Sequence, residues 1–70
     1  MKLTIELEQE VDGRWIAEVL EISGVMVYGD TQAEAIRKVQ SLALSVIADQ
    51  IAHGEIEVFD ALTFAHNKAA

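Results

Sequence analysis

Seventy residues with 51% hydrophobic content, no proline and no cysteine make one small domain, too apolar for disorder and without disulfides or thiolate metal sites. Twelve acidic against five basic residues give a net charge of −7, which repels phosphate backbones and argues against nucleic acid as a direct ligand. No apolar run approaches the roughly 18 residues that span a bilayer, and the N-terminus lacks a signal-peptide pattern, so the expectation is a cytoplasmic domain without membrane contact.

The first element is Lys2 to Glu10, where polar and apolar residues alternate with the period of a strand that has one wet face; Leu3, Ile5 and Leu7 point inward. A second strand, Arg14 to Leu20, follows a turn at Val11-Asp12-Gly13. A two-residue Asp12-Gly13 loop would set Leu7 against Glu18 on the same face. A three-residue loop with Gly13 left-handed instead pairs Leu7 with Ala17, Ile5 with Val19 and Gln9 with Trp15, which keeps the apolar face consistent. The same register places Glu10 by Arg14, Glu8 by Ile16 and Glu6 opposite Glu18 on the wet face, and like charges directly across a ladder are mildly destabilising.

Glu21-Ile22-Ser23-Gly24 reads as a turn and Val25-Met26-Val27-Tyr28 as a short third strand ended by Gly29. Thr31 followed three positions later by Glu34 fits a capping box, the Thr31 hydroxyl accepting from the Glu34 amide and the Glu34 carboxylate reaching back to the Thr31 amide. Gly29 allows a tight or left-handed backbone before that start, and Asp30 adds negative charge at the positive end of the helix dipole. From Gln32 to Ala52, Ala35, Ile36, Val39, Leu42, Ala43, Val46 and Ile47 recur at helical steps and form the core-facing stripe. Leu44 and Ile51 at its edge suggest a helix-mediated subunit contact. Gly54 is the natural left-handed cap after His53.

Beyond the helix, Glu55-Ile56-Glu57-Val58-Phe59 alternates again and reads as a fourth strand beside the first, continued or re-entered at Leu62-Thr63-Phe64 after a kink at Asp60-Ala61. The domain is expected to occupy residues 1–66, with Asn67-Lys68-Ala69-Ala70 as a frayed tail. The predicted fold class is therefore α+β, in the order β-β-β-α-β, an antiparallel sheet covered on one face by a single helix.

Motifs for chemistry are sparse. Ser23, Ser41 and Ser45 have no histidine or glycine-elbow context, and His53 and His66 are thirteen positions apart without ligand spacing, so no catalytic residue, cofactor or metal is expected. Trp15, Tyr28, Phe59 and Phe64 suit core or interface anchoring, because a base-stacking platform needs a basic surround. The acidity is uneven, −6 over residues 1–35 and −1 over residues 36–70, so the sheet half is the part that attracts a basic partner. Glu6, Glu8 and Glu18 are the candidate partner-binding residues.

Three local patterns resemble the HicB-type antitoxin family from Leu3 to about Gly54. Asp12-Gly13-Arg14-Trp15-Ile16-Ala17-Glu18-Val19 is similar to the family's Gly-aromatic-x-Ala strand, and Glu21-Ile22-Ser23-Gly24-Val25 to its Pro-Gly turn, with Ser23 where a proline is usual. Gly29-Asp30-Thr31-Gln32-Ala33-Glu34-Ala35 is similar to its Gly-Asp-Thr-x-x-Glu-Ala helix start, the most specific of the three. The resemblance implies a degenerate RNase H-like or partial ferredoxin-like domain that neutralises a small basic RNA-cleaving toxin of the HicA type. It marks Gly24, Gly29, Asp30, Thr31, Glu34 and Ala35, beside the turn residue Gly13, as structural positions and brings no catalytic ones. Family members often carry a C-terminal DNA-binding segment; the residues after Gly54 read as strand, so autorepression by direct DNA binding is not expected.

The leading expectation is thus a non-enzymatic, acidic, antitoxin-like binding domain, homodimeric or tetrameric. The alternatives are an orphan homo-oligomeric ligand-binding or scaffold domain and a residual metal-dependent nuclease built on Glu6 or Glu18.

Overall fold

A computed structural model describes residues 1–57 and 59–68 and contains a four-stranded sheet with one helix across it, an α+β fold. The elements are β1 (Lys2–Gln9), β2 (Trp15–Val19), β3 (Met26–Gly29), α1 (Gln32–Ala52) and β4 (Thr63–Lys68), and the sheet order is β3-β2-β1-β4.

The β1–β2 register pairs Ile5 with Val19, Leu7 with Ala17 and Gln9 with Trp15, as the three-residue loop requires. Gly13 has φ +93°, and the Gly13 amide donates to the Glu10 carbonyl at 3.0 Å. Asp12 stiffens this hairpin end by accepting from the Arg14 amide at 3.0 Å and from Arg14 Nε at 2.8 Å. Those two bonds, amide first, hold the Asp12 carboxyl below its usual range, while the paired carboxylate raises Arg14. Glu10 meets Arg14 through the backbone, its amide donating to the Arg14 carbonyl at 2.7 Å.

β2 continues into a turn at Gly24, φ +83°, and β3 returns antiparallel, pairing Ala17 with Val27 and Trp15 with Gly29. Gly29 itself has no positive φ, so of the tight or left-handed backbone expected there the left-handed form is not used. A Cβ there would lie 2.6 Å from the Ala35 nitrogen and 2.9 Å from its Cα, so the glycine lets the first turn of α1 sit directly on the end of β3.

Thr31 caps α1 as expected, its hydroxyl accepting from the Glu34 amide at 3.1 Å. The reciprocal half of the box is displaced by one residue. The Glu34 carboxylate accepts from the Asp30 amide, at 3.1 Å, rather than from Thr31, and also pairs with Lys38 at 3.1 Å. Both contacts, the amide first, hold Glu34 below its ordinary value.

Ala35, Val39, Ala43 and Ile47 form the buried helix stripe, and with Leu3, Ile5, Leu7, Ala17, Val19 and Val25 they make the core. The small residues Ala17, Ala35 and Ala43 bring the helix close over β2 and β3, where it makes most of its strand contacts. Of the predicted stripe, Ile36 and Val46 are half-buried and Leu42 is exposed; Leu44 and Ile51 are exposed too.

The C-terminal part departs from expectation. Residues 55–57 and 59–62 form no strand, and Val58 lies outside the described residues. Gly54, φ +67°, turns the chain, the Glu55 amide donates to the Gln50 carbonyl at 2.8 Å, and Ile56, Phe59 and Leu62 fold half-buried against the core. Their spacing of three answers to a coil wrapping the core; the alternation of residues 55–59 is accidental. The fourth strand is Thr63–Lys68, so Asn67 and Lys68 are paired sheet residues and not a frayed tail; Ala69 and Ala70 lie outside the described residues. β4 runs parallel to β1, which makes the sheet mixed and not wholly antiparallel. The cause is α1, which carries the chain back along the sheet so that the next strand repeats the direction of β3, and hence of β1.

Candidate functional site: the open sheet face

Helix α1 covers one side of the sheet, and the pairing register lists what stands on the other. Glu8, Ile16 and Tyr28 form one row across β1, β2 and β3, and Asn67, Glu6, Glu18 and Met26 form the next across all four strands. Leu20, whose amide donates to the Thr4 carbonyl at 3.0 Å, continues the β2 side of this face. The three predicted partner-binding residues are therefore brought together: Glu6 and Glu18 directly opposite, Glu8 one step along β1. Glu8 and Glu18 are exposed and Glu6 half-buried.

Composition alone did not reveal how apolar the rest of this face is. Leu20, Met26 and Tyr28 are 49%, 50% and 41% exposed, and Ile16 is half-buried between Glu8 and Tyr28. The signal was present in the sequence, since Trp15 to Leu20 holds one polar residue, Glu18, where strict alternation would put three. At the hairpin end the Arg14 guanidinium, paired with Asp12, lies 4.5 Å above the Tyr28 ring, on the β3 side of the strip.

Glu21, in the turn that follows β2, ties that turn to β1. Its carboxylate accepts from the Thr4 amide at 2.7 Å and the Thr4 hydroxyl at 2.8 Å, and these two bonds hold its carboxyl below its ordinary value.

Two other places carry polar groups near one another. At the end of α1, Asp49, His53 and Glu55 bring one ligand atom each to within 4.8 Å of the others. His53 Nδ1 lies 2.8 Å from the Asp49 carbonyl oxygen and therefore donates to it, and 3.5 Å from Oδ1. The i, i+4, i+6 spacing was visible in the sequence, but only the turn at Gly54 returns Glu55 to the helix; all three side chains are exposed. A half-open cleft of about 500 Å3 lies between the second half of α1 and the start of β1, with Leu3, Ile22, Val46, Ile47 and Ile56 in its walls and Lys2 and Gln50 among its polar groups.

Ser23, Ser41 and Ser45 are exposed. Among the described residues no helix is long and apolar enough to cross a membrane. The structural positions Gly13, Gly24, Gly29, Asp30, Thr31, Glu34 and Ala35 all serve turns or the β3–α1 junction. Compared with known protein families, with curated proteins and with solved structures, the chain matches none.

Proposed function

We infer that this chain is a non-catalytic, antitoxin-like binding domain that neutralises a small basic mRNA-cleaving toxin of the HicA type by direct contact in the cytoplasm. The observation that carries this reading is the sheet face opposite α1, where Glu6, Glu8 and Glu18 gather and, among the described residues, no cation is paired across from any of them. A protein that grips RNA presents positive charge around its cleavage site, and a rigid acidic face competes for that charge. Complementary fields steer the encounter and raise the association rate more than the affinity. The domain acts as a homodimer or tetramer, associating through the open edges of β3 and β4 or through the helix flank of Leu44 and Ile51, both exposed.

The test is a pull-down and RNA-cleavage assay with the product of a short basic reading frame beside this gene. The reading expects a stable complex and loss of cleavage. Glu6→Lys with Glu18→Lys weakens the complex and flattens its salt dependence; a double variant that binds and responds to salt like the parent refutes the electrostatic basis. Light scattering of the protein alone gives the assembly state.

The cleft beside Ile22 and Val46 favours a second reading, an orphan homo-oligomer that binds a small apolar ligand. Thermal stabilisation by such a ligand, lost on Val46→Glu, distinguishes it.

A further inference from the structure

We propose that the β2–β3 half of the open face is a seat for a single amphipathic helix of a partner protein, one whose apolar ridge is flanked on one side by Lys or Arg. This rests on the reading that the face receives a basic protein, and it names the element received.

Strand patterning is the first ground. β1 alternates strictly, with Leu3, Ile5 and Leu7 buried and Lys2, Thr4, Glu6 and Glu8 on the other side. β2 and its continuation do not: Ala17 and Val19 are buried beneath α1, while on the open side only Glu18 is polar, between the apolar Ile16 and Leu20. The third strand repeats this, with Val27 inside and Met26 and Tyr28 outside. An antiparallel pair with one solvated face ordinarily alternates apolar-in and polar-out, so the outward Ile16, Leu20, Met26 and Tyr28 mark a face suited to a second cover.

Size is the second ground. From Ile16 to Leu20, with Glu18 between them on the same face, the strip runs about 13 Å at about 3.3 Å per residue, and Met26 and Tyr28 on a strand about 4.8 Å away give it width. A helix about 10–12 Å across, rising about 5.4 Å per turn, lays two turns and one ridge along such a strip. The other side of the same strands already holds a helix in this way, α1 over Ala17, Val19 and Val27.

Charge selects the occupant. Glu6 and Glu8 line the β1 border of the strip, Glu18 stands within it between Ile16 and Leu20 and opposite Met26, and Arg14, paired with Asp12, lies over Tyr28 at the β3 border. The incoming helix therefore carries its cations toward β1 and none toward β3. A second copy laid face to face on this sheet would set six carboxylates against one another, so the face is not self-complementary.

The probe is a synthetic 18-residue helical peptide with a Leu ridge and Lys along one flank, compared with a scrambled peptide of identical composition. Binding is followed by amide NMR and calorimetry at low and high salt. The helical peptide is expected to shift the Ile16, Glu18, Met26 and Tyr28 amides and to bind about tenfold tighter than the scrambled one, a difference of about 1.4 kcal/mol. Met26→Lys, at a half-exposed side chain, keeps the thermal midpoint and weakens binding about tenfold; Glu6→Gln, Glu8→Gln and Glu18→Gln together remove the salt dependence. Equal binding of both peptides with the salt dependence intact overturns the helix seat and leaves the acidic-face reading standing. Binding by neither peptide, or binding indifferent to the glutamates, overturns both. A fall in molar mass on Met26→Lys in light scattering overturns the proposal in favour of a second copy.

Discussion

The two faces of β2 differ in what lies on them, although both carry apolar side chains, Ala17 and Val19 on one and Ile16 and Leu20, with Glu18 between them, on the other. On the inner side Ala17 and Val19 are sealed beneath α1, with exposures of 0% and 1%. On the outer side, among the described residues, no helix or strand covers Ile16, Leu20 and the neighbouring Met26 and Tyr28, and the carboxylates of Glu6, Glu8 and Glu18 stand among and beside them. The inner face uses its apolar surface to fold the domain; the outer face holds similar surface in reserve. Substitutions that move stability should therefore concentrate on one side, and those that move binding on the other.

The largest expected effect is on the inner side. Ile5 is fully buried at the centre of β1, and Ile5→Ala should lower unfolding free energy by about 2–5 kcal/mol through lost burial and a residual cavity. Met26→Ala, removing a similar volume from the outer face, should change it by about 0.5 kcal/mol or less. Urea titrations of the two variants check the contrast; equal losses would show that the outer face too supports the fold. Next comes Gly29→Ala. The added Cβ meets the Ala35 backbone at 2.6 Å, so the helix must lift from β3, and a loss of about 1–3 kcal/mol is expected in the same titration.

These positions also show what the sequence makes legible. The β1–β2 register could be read because a slip of one residue would exchange Leu7 and Glu8 between faces, and a single loop length avoids that. Thr31 and Glu34 announced the helix start because capping is local. β4 was illegible for the opposite reason. Its partner Leu3 lies more than 60 residues from Phe64, the coil of Ile56, Phe59 and Leu62 imitates no regular period, and parallel pairing follows from the path of α1 and not from any residue in β4. Gly29 and Glu21 were seen as loop chemistry, whereas their roles are contacts across the chain, to Ala35 and to Thr4. Glu6, Glu8 and Glu18 could be grouped from register alone; the apolar strip beside them was hidden by the assumption that an outward strand face is polar.

A smaller effect is expected where α1 begins, at the rim between the two faces. Thr31→Ala removes the cap and should cost about 1 kcal/mol. Glu34 and Glu21 both have carboxyls lowered in the folded state from an ordinary 4.5, by the Asp30 amide and Lys38 in one case and by the Thr4 amide and hydroxyl in the other. A lowered folded-state value means that the stability they supply is fully present above about pH 4.5 and is lost as pH falls through the lower value. Unfolding midpoints measured from pH 7 to pH 3 should decline, and Glu34→Gln should flatten that decline; an unchanged acid limb would assign it to other carboxylates.

The smallest effect has the opposite sign and separates the faces most sharply. Glu6 and Glu18 are paired directly across the β1–β2 ladder on the outer side. Replacing Glu18 by Thr, a better strand residue, removes the repulsion and should raise stability by about 0.2–1 kcal/mol. No inner-face truncation offers a gain of this kind. The same variant should bind a basic partner more weakly, with a shallower dependence on salt. Higher thermal stability together with weaker binding is the signature of a repulsive pair kept for recognition; higher stability with binding unchanged would make the pair an idle neighbour of the strip and move the site toward Met26 and Tyr28.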